Sequence, residues 1–147
     1  MAPFDPDAEL EPDFHLIKNG PVLHYRDRDR LHEDVTSLAR LGYLVHRFDA
    51  GAWASQADFH RDIAEALDFP DYYGRNLDAF NDCLRDVAMY QYGASAEATG
   101  TVLVFTAYDA FARREPPAAQ VILDIITRQA HFAMLFGHRL VCLVDQG

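Results

Sequence analysis

Apolar residues recur at helical spacing in the first third of the chain. The repeat begins after Asp27, and Gly42 follows where the residue after a helix end is expected. The inward positions are Leu31, Val35 and Leu38, with Leu41 at the edge. Upstream, "FHLIKNGPVLHY" has two short apolar runs around an Asn-Gly pair. This pattern predicts a strand, a turn and a strand before the first helix.

The middle of the chain continues with a strand and two helices. "YLVHRFDA" is typical of a strand, and "SQADFHRDIAEALDF" has Ser55 as a plausible N-cap and ends before Pro70. A loop containing Gly74 follows, and Asn76 stands at the N-cap position of a third helix. Its core positions are Leu77, Phe80, Leu84 and Val87.

The C-terminal half alternates buried strands with helices. "TVLVFT" and "RLVCLV" are short apolar runs, with a helical piece at 108 to 114 and a longer helix from Pro116 to Gly137 between them. This order predicts an α/β fold with a small, mostly parallel β-sheet covered by helices. The last helix is apolar on several faces, which favours burial between the sheet and the N-terminal element over a second partner surface.

Length and composition indicate one soluble domain. Residues 1–13 are rich in proline and acid and predict a flexible arm, and residues 14–147 predict a single domain. No apolar run is long enough to span a bilayer and no leader pattern opens the sequence, so we expect an unexported, cytoplasmic protein that binds no membrane. The net charge of −10 argues against a nucleic-acid ligand and favours a cationic protein partner.

The residue types that bind metals and cofactors show no suitable spacing. Cys83 and Cys142 lie in apolar segments outside any CxxC pair, and we expect buried, reduced thiols. The seven histidines are scattered, and no glycine-rich phosphate loop follows a strand. The sequence therefore predicts neither a metal nor a cofactor.

Three carboxylates stand four residues apart on the third helix. Asp78, Asp82 and Asp86 share one face, and each like-charge step costs an isolated helix roughly 0.2 to 0.5 kcal/mol. Arg75 and Arg85 are placed to offset part of this repulsion. From the residues alone, the stripe fits a solvated face with local ion pairs as well as it fits a binding surface.

Two adjacent tyrosines precede this helix. One of Tyr72 and Tyr73 is expected in the core or at a hinge, and the other beside the carboxylates as an exposed aromatic. Tyrosine next to charge is the composition of a binding hot spot.

The segment "FPDYYGRNLDAFNDCL" resembles the signature of the barstar family, whose members are intracellular inhibitors of the ribonuclease barnase. More loosely, residues 43–147 follow the family's order of strands and helices, and residues 14–42 are an addition. The resemblance implies a barstar-like sheet covered by helices, and a protein that is not an enzyme but blocks the active site of a secreted ribonuclease.

The resemblance also implies residue roles. Asp82 would occupy the site of the substrate phosphate, Asp78 would pair with a cleft Arg or Lys, and Tyr72 would lie on the rim near the catalytic His. The full partner-binding set is Tyr72, Tyr73, Gly74, Asn76, Asp78, Asn81 and Asp82. Two departures stand out: Asn81 replaces a usual Trp, and Phe132 and Phe136 lie where the family's last helix supplies a carboxylate.

The expected partner is a basic secreted ribonuclease or nuclease toxin. Two other hypotheses remain open at this point. The chain could be a barstar-fold interaction module that binds a non-nuclease partner through its N-terminal addition. It could also be a hydrolase that uses Asp78 and Asp82 as acid and base, which would require a pocket around them.

Overall fold

Four parallel strands form one sheet at the centre of the molecule. The computed structural model describes residues 12–147. The strands are β1 Val22–Tyr25, β2 Leu44–Asp49, β3 Gly100–Thr106 and β4 Arg139–Asp145, in the order β1-β4-β3-β2. The helices are α1 Pro12–Ile17, α2 Arg28–Arg40, α3 Gln56–Ala66, α4 Leu77–Ala88, α5 Tyr108–Arg114 and α6 Pro116–Ala133. The predicted α/β fold with a parallel sheet is confirmed.

Both faces of the sheet are covered, which explains the apolar runs without alternation. On β3, Leu103 and Phe105 face a large core that contains residues of α3, α4, α5 and α6. Val102 and Val104 face a smaller core on the opposite side, formed with α2. Because successive side chains of a strand point to opposite faces, a strand covered on both sides has to be apolar at every position.

Aromatic side chains anchor α3 and α4 on the larger core. Trp53 is fully buried, and its ring makes edge contacts with Phe59 of α3 and with Phe105 of the sheet. Phe59 in turn meets Phe80 of α4, with the ring centroids 5.0 Å apart. Each such pair adds about 0.5 to 1.5 kcal/mol beyond the area that it buries. These contacts fix which side of α4 points inward.

The N-terminal addition supplies an edge strand of the sheet and the helix, α2, that covers the sheet's second face. Strand β1 pairs with β4, and the predicted inward residues Leu31, Val35 and Leu38 of α2 are all fully buried. Helix α2 ends in two backbone bonds of a Schellman motif, from Gly42 N to the Ala39 carbonyl and from Tyr43 N to the Leu38 carbonyl, with φ +95° at Gly42.

The prediction of a strand at the start of this addition was wrong. The first apolar run forms α1, which ends in a turn where Gly20 N donates to the Ile17 carbonyl. The buried Asp13 carboxylate accepts a hydrogen bond from the Tyr43 hydroxyl at 2.7 Å and pairs with Arg139. Residues 12 and 13, assigned to the arm, thus belong to α1, whereas residues 1–11 of the arm lie outside the described residues.

The expectation for the last helix was only partly right. Helix α6 is buried along Ile122, Ile126 and Ala130, but a 3₁₀ turn, Met134–Phe136, follows it and is exposed. The N-terminal addition does not bury this turn: α2 lies against the other face of the sheet, and Ile17 and Pro21 of the addition line a surface pocket together with Met134. In the part of the chain that the structure describes, no helix is both long and apolar enough to cross a membrane.

Candidate functional site

The loop before α4 is held from inside by Tyr73. Its backbone N–H donates to the Pro70 carbonyl at 2.9 Å, and its ring lies against Phe69 with the centroids 4.9 Å apart. The Tyr73 hydroxyl makes a short hydrogen bond with Nδ1 of the buried His60 on α3. Arg75 then adopts φ +54°, a left-handed conformation that reverses the chain into α4.

His60 is the buried support of this loop. Its Nε2 lies 2.7 Å from Oε1 of Gln56, one turn earlier on α3, so Nε2–H donates and Nδ1 is left to accept the Tyr73 proton. Burial, and secondarily the charge of Arg75, lower the pKa of His60 from 6.5 to about 4. The imidazole is therefore neutral at physiological pH, which this hydrogen-bond pattern requires.

The two tyrosines have opposite positions. Tyr73 is buried, whereas 78% of the Tyr72 side chain is exposed, the largest exposure among the described aromatic residues. This matches the division expected from the sequence. The side chain of Tyr73 supports the loop from within, and Tyr72 projects from the loop into solvent.

Asn76 connects the loop to α4. Its side-chain oxygen accepts a hydrogen bond from the Ala79 N–H at 2.8 Å, which caps the first turn as predicted. Gly74 lies close by, and a Cβ there would stand 3.3 Å from Nδ2 of Asn76. A side chain at position 74 would press on the cap, so glycine keeps the loop tight against the helix start.

The acidic stripe divides into two exposed carboxylates and one bound carboxylate. Asp78 and Asp82 are exposed, and within residues 12–147 neither forms a hydrogen bond or an ion pair. Asp86 is half-buried and accepts a hydrogen bond from the Tyr92 hydroxyl at 2.9 Å. Neither Arg75 nor Arg85 forms the ion pair that would offset part of the repulsion between the exposed pair. Within the described residues the two carboxylates therefore have no direct partner.

Arg85, which the sequence placed to offset part of the repulsion at Asp82, contacts a ring of α6 instead. The guanidinium carbon of Arg85 lies 5.3 Å from the centroid of the Phe132 ring on α6. Arg75, the other candidate, forms no ion pair in the described part of the chain.

Asn81 joins α4 to α6. It is half-buried, and its side-chain oxygen accepts hydrogen bonds from Nε2 of Gln129 at 2.9 Å and from Nη1 of Arg128 at 3.3 Å. Its amide thus holds the two helices together at the level of Asp82. Phe132 and Phe136 lie at the end of α6 with their ring centroids 5.2 Å apart, and no carboxylate occupies these two positions.

Most of the predicted site residues are exposed, on the loop before α4 and on α4 itself. We call the exposed residues of the loop and of α4 the acidic face: Tyr72, Gly74, Asn76, Asp78 and Asp82. Tyr73 and Asn81, also predicted to bind a partner, lie behind this surface as supports. Sequence reasoning missed His60, because only folding brings it to Tyr73; its spacing of four from Gln56 was the one available signal.

Asp78 and Asp82 lie outside the main surface pockets of the described residues. The three most prominent of these pockets are lined by neither carboxylate. A paired-carboxylate hydrolase needs a cleft around its acid and base, so this geometry gives that hypothesis no support. No group of three or more His, Cys, Asp or Glu side chains in the described part could hold a metal ion. Cys83 and Cys142 are both buried, as expected.

Comparison with known proteins agrees with the resemblance of the loop and α4. The family model described as Barstar (barnase inhibitor) matches residues 43–145, well over half of the chain. The chain belongs to the barstar family. The match includes the acidic face and every element from β2 to β4, whereas α1, β1 and α2 precede it.

A curated relative carries a related name. The chain is 72% identical over 25 residues to "Putative ribonuclease inhibitor YrdF" from Bacillus subtilis (strain 168). This similarity covers 17% of the present chain and 28% of the relative, so it joins short segments of the two proteins.

Proposed function

We propose that the protein inhibits a ribonuclease by inserting the acidic face into the enzyme's cationic cleft. Membership of the barstar family and the relative named as a ribonuclease inhibitor support this proposal. The observation that carries it is that Asp78 and Asp82, like Tyr72, are exposed, and that neither carboxylate has a hydrogen-bond or ion-pair partner in the described chain. The protein acts as an inhibitor and catalyses no reaction.

The chemistry of a ribonuclease cleft fits two outward carboxylates. Such a cleft binds a phosphate with Arg, Lys and His side chains, and a carboxylate accepts bidentate, charge-assisted hydrogen bonds from the same groups. Asp82 takes the phosphate position, and Asp78 pairs with a second cation of the cleft. Tyr72 lies on the rim, and Gly74 and Asn76 contribute contacts from the loop.

The supports behind the acidic face reduce the entropy that binding costs. Asn76 caps α4, Asn81 holds it on α6, and His60 and Tyr73 fix the loop. The carboxylates are therefore ordered before the partner arrives, and a preorganised surface loses less freedom on association. Contact with the enzyme then relieves the repulsion between Asp78 and Asp82.

The net charge points to a basic partner. A chain of net charge −10 attracts a basic enzyme over distances comparable to the Debye length, about 8 Å at physiological salt. This attraction raises the association rate at low salt. We therefore propose a basic secreted ribonuclease or nuclease toxin as the target and the cytoplasm as the place where the inhibitor is needed.

The test is a titration of ribonuclease activity. The wild type and the variant Asp82→Asn are each added to barnase and to a panel of other small, basic, secreted ribonucleases. The inhibition by the two proteins is then compared. We expect one-to-one inhibition of at least one enzyme, and roughly a hundredfold weaker inhibition by the variant, since truncating a buried charge pair costs about 2 to 5 kcal/mol.

The matched control is Asp29→Asn. Asp29 lies in the first turn of α2, which covers the opposite side of the sheet, and the substitution removes the same charge. It should leave inhibition within about twofold, because only its long-range charge is lost. Equal inhibition by the wild type and Asp82→Asn would refute the assigned geometry.

A further inference from the structure

Three large apolar side chains in a row are exposed at the end of α6. In the 3₁₀ turn Met134–Phe136, 68% of Met134, 79% of Leu135 and 45% of Phe136 is exposed. Scattered apolar residues on a surface are ordinary, but a contiguous cluster marks an interaction site more often. Gly137, at φ +69°, ends the turn and returns the chain to β4.

This turn is continuous with the acidic face. The Phe136 ring contacts Phe132, and Arg85 of α4 covers Phe132. Arg85 is three residues after Asp82, and residues three apart on a helix are neighbours on its surface. A path of direct contacts therefore runs from the α4 segment that bears Asp82 to the exposed turn. We call Phe132, Leu135 and Phe136 the apolar ledge.

The area that an inhibitor must bury also favours inclusion of this ledge. A stable complex buries about 800 Å² on each partner and uses about 20 to 30 residues a side. The five residues of the acidic face are too few, so the interface has to extend over their neighbours. Helix α6 is a direct neighbour of α4, joined to it by Asn81 and Arg85.

We propose that the apolar ledge packs against an apolar patch on the rim of the target ribonuclease and selects among possible targets. This inference rests on the proposed function. The cationic cleft receives Asp78 and Asp82, whereas the rim that meets the ledge is apolar. A basic residue on that rim would face the exposed charge of Arg85 and find no carboxylate at positions 132 and 136. The ledge therefore excludes ribonucleases whose rim is cationic there.

A second copy of the chain is a poorer occupant. A symmetric dimer places the same patch of both copies face to face. Joining two ledges would bring two acidic faces close together, each with an exposed Asp82 that forms no ion pair within the described residues. Like charges at such an interface disfavour the pairing. A basic enzyme meets no such repulsion.

The experiment measures association and dissociation rates with the ribonuclease of the panel that the wild type inhibits most tightly. The test variant is Leu135→Ser with Phe136→Ser, and the control is Val121→Ser, which removes an exposed apolar side chain elsewhere on α6. We expect the dissociation rate constant of the test variant to be at least about tenfold higher than that of the wild type. The association rate constant and its salt dependence should be unchanged. The control should match the wild type.

The outcomes separate the two proposals. If the test variant dissociates at the same rate as the wild type while Asp82→Asn still weakens inhibition, the ledge inference is overturned and the proposed function stands. If no ribonuclease is inhibited by the wild type, the proposed function fails and the ledge inference falls with it. A dimer in sedimentation that the double substitution dissociates would assign the ledge to a second copy and refute the proposal.

Discussion

Acidification should destabilise the protein through His60. The pKa of this buried imidazole is about 4 in the folded protein and 6.5 in the unfolded chain, so the unfolded state takes up the proton first as the pH falls. The stabilisation is complete above pH 6.5, is lost progressively between pH 6.5 and pH 4, and changes no further below pH 4. A difference of 2.5 pH units corresponds to about 3 kcal/mol at 1.36 kcal/mol per unit.

The hydrogen bonds of His60 suggest a matched variant. His60→Gln keeps an amide oxygen that can accept from Tyr73 and an amide N–H that can donate to Gln56, but the amide does not titrate. Burial also lowers the pKa of His46 and His138, and both remain in the variant. The difference between the two proteins therefore isolates the contribution of His60.

Urea unfolding of the wild type and His60→Gln, followed at several pH values from 7.5 to 3.5, measures this contribution. We expect the free energy of unfolding of the wild type to fall by about 3 kcal/mol more than that of the variant over this range. Parallel pH profiles for the two proteins would refute a neutral, buried His60. The Tyr73 hydroxyl would then need a different acceptor.

Two further substitutions test the framework of the site. Asn76→Ala should lower the free energy of unfolding by about 1 kcal/mol in urea, because the Ala79 N–H loses its cap, while Asn76→Asp should keep most of it; equal stability of all three proteins would contradict the cap. Gly100→Ala should cost about 1 to 3 kcal/mol in thermal unfolding, because its Cβ would overlap the Arg139 carbonyl and the Tyr43 ring; an unchanged melting temperature would contradict that close packing.

The strands of the sheet could be predicted because the burial of each strand leaves a pattern within its own short segment of the sequence. In β3 and β4 successive side chains point alternately into the two cores, so nearly every position is apolar and the sequence shows a continuous apolar run. The core side of α4 followed from its helical period in the same way, with Phe80, Leu84 and Val87 fully buried. In both cases the signal spans the whole element.

The failures involve short segments and distant partners. The apolar run in α1 is too short for its period to separate helix from strand, and its bonds to Tyr43 and Arg139 come from far along the chain. The exposed turn after α6 was expected to be buried. This prediction failed because apolar composition does not reveal which side of the sheet α2 covers. The bond from Tyr73 to His60 likewise depends on packing between separate elements.

If Asp82 takes the place of a substrate phosphate, as we propose, a nucleotide should compete with the inhibitor for the enzyme. The apparent dissociation constant of the complex with the inhibited ribonuclease is measured at increasing concentrations of a guanosine monophosphate, with the ionic strength held constant by added salt. We predict that the apparent constant rises linearly with the nucleotide concentration, because the phosphate and Asp82 cannot occupy one site together. An apparent constant that stays unchanged while the nucleotide saturates the enzyme would contradict the claim.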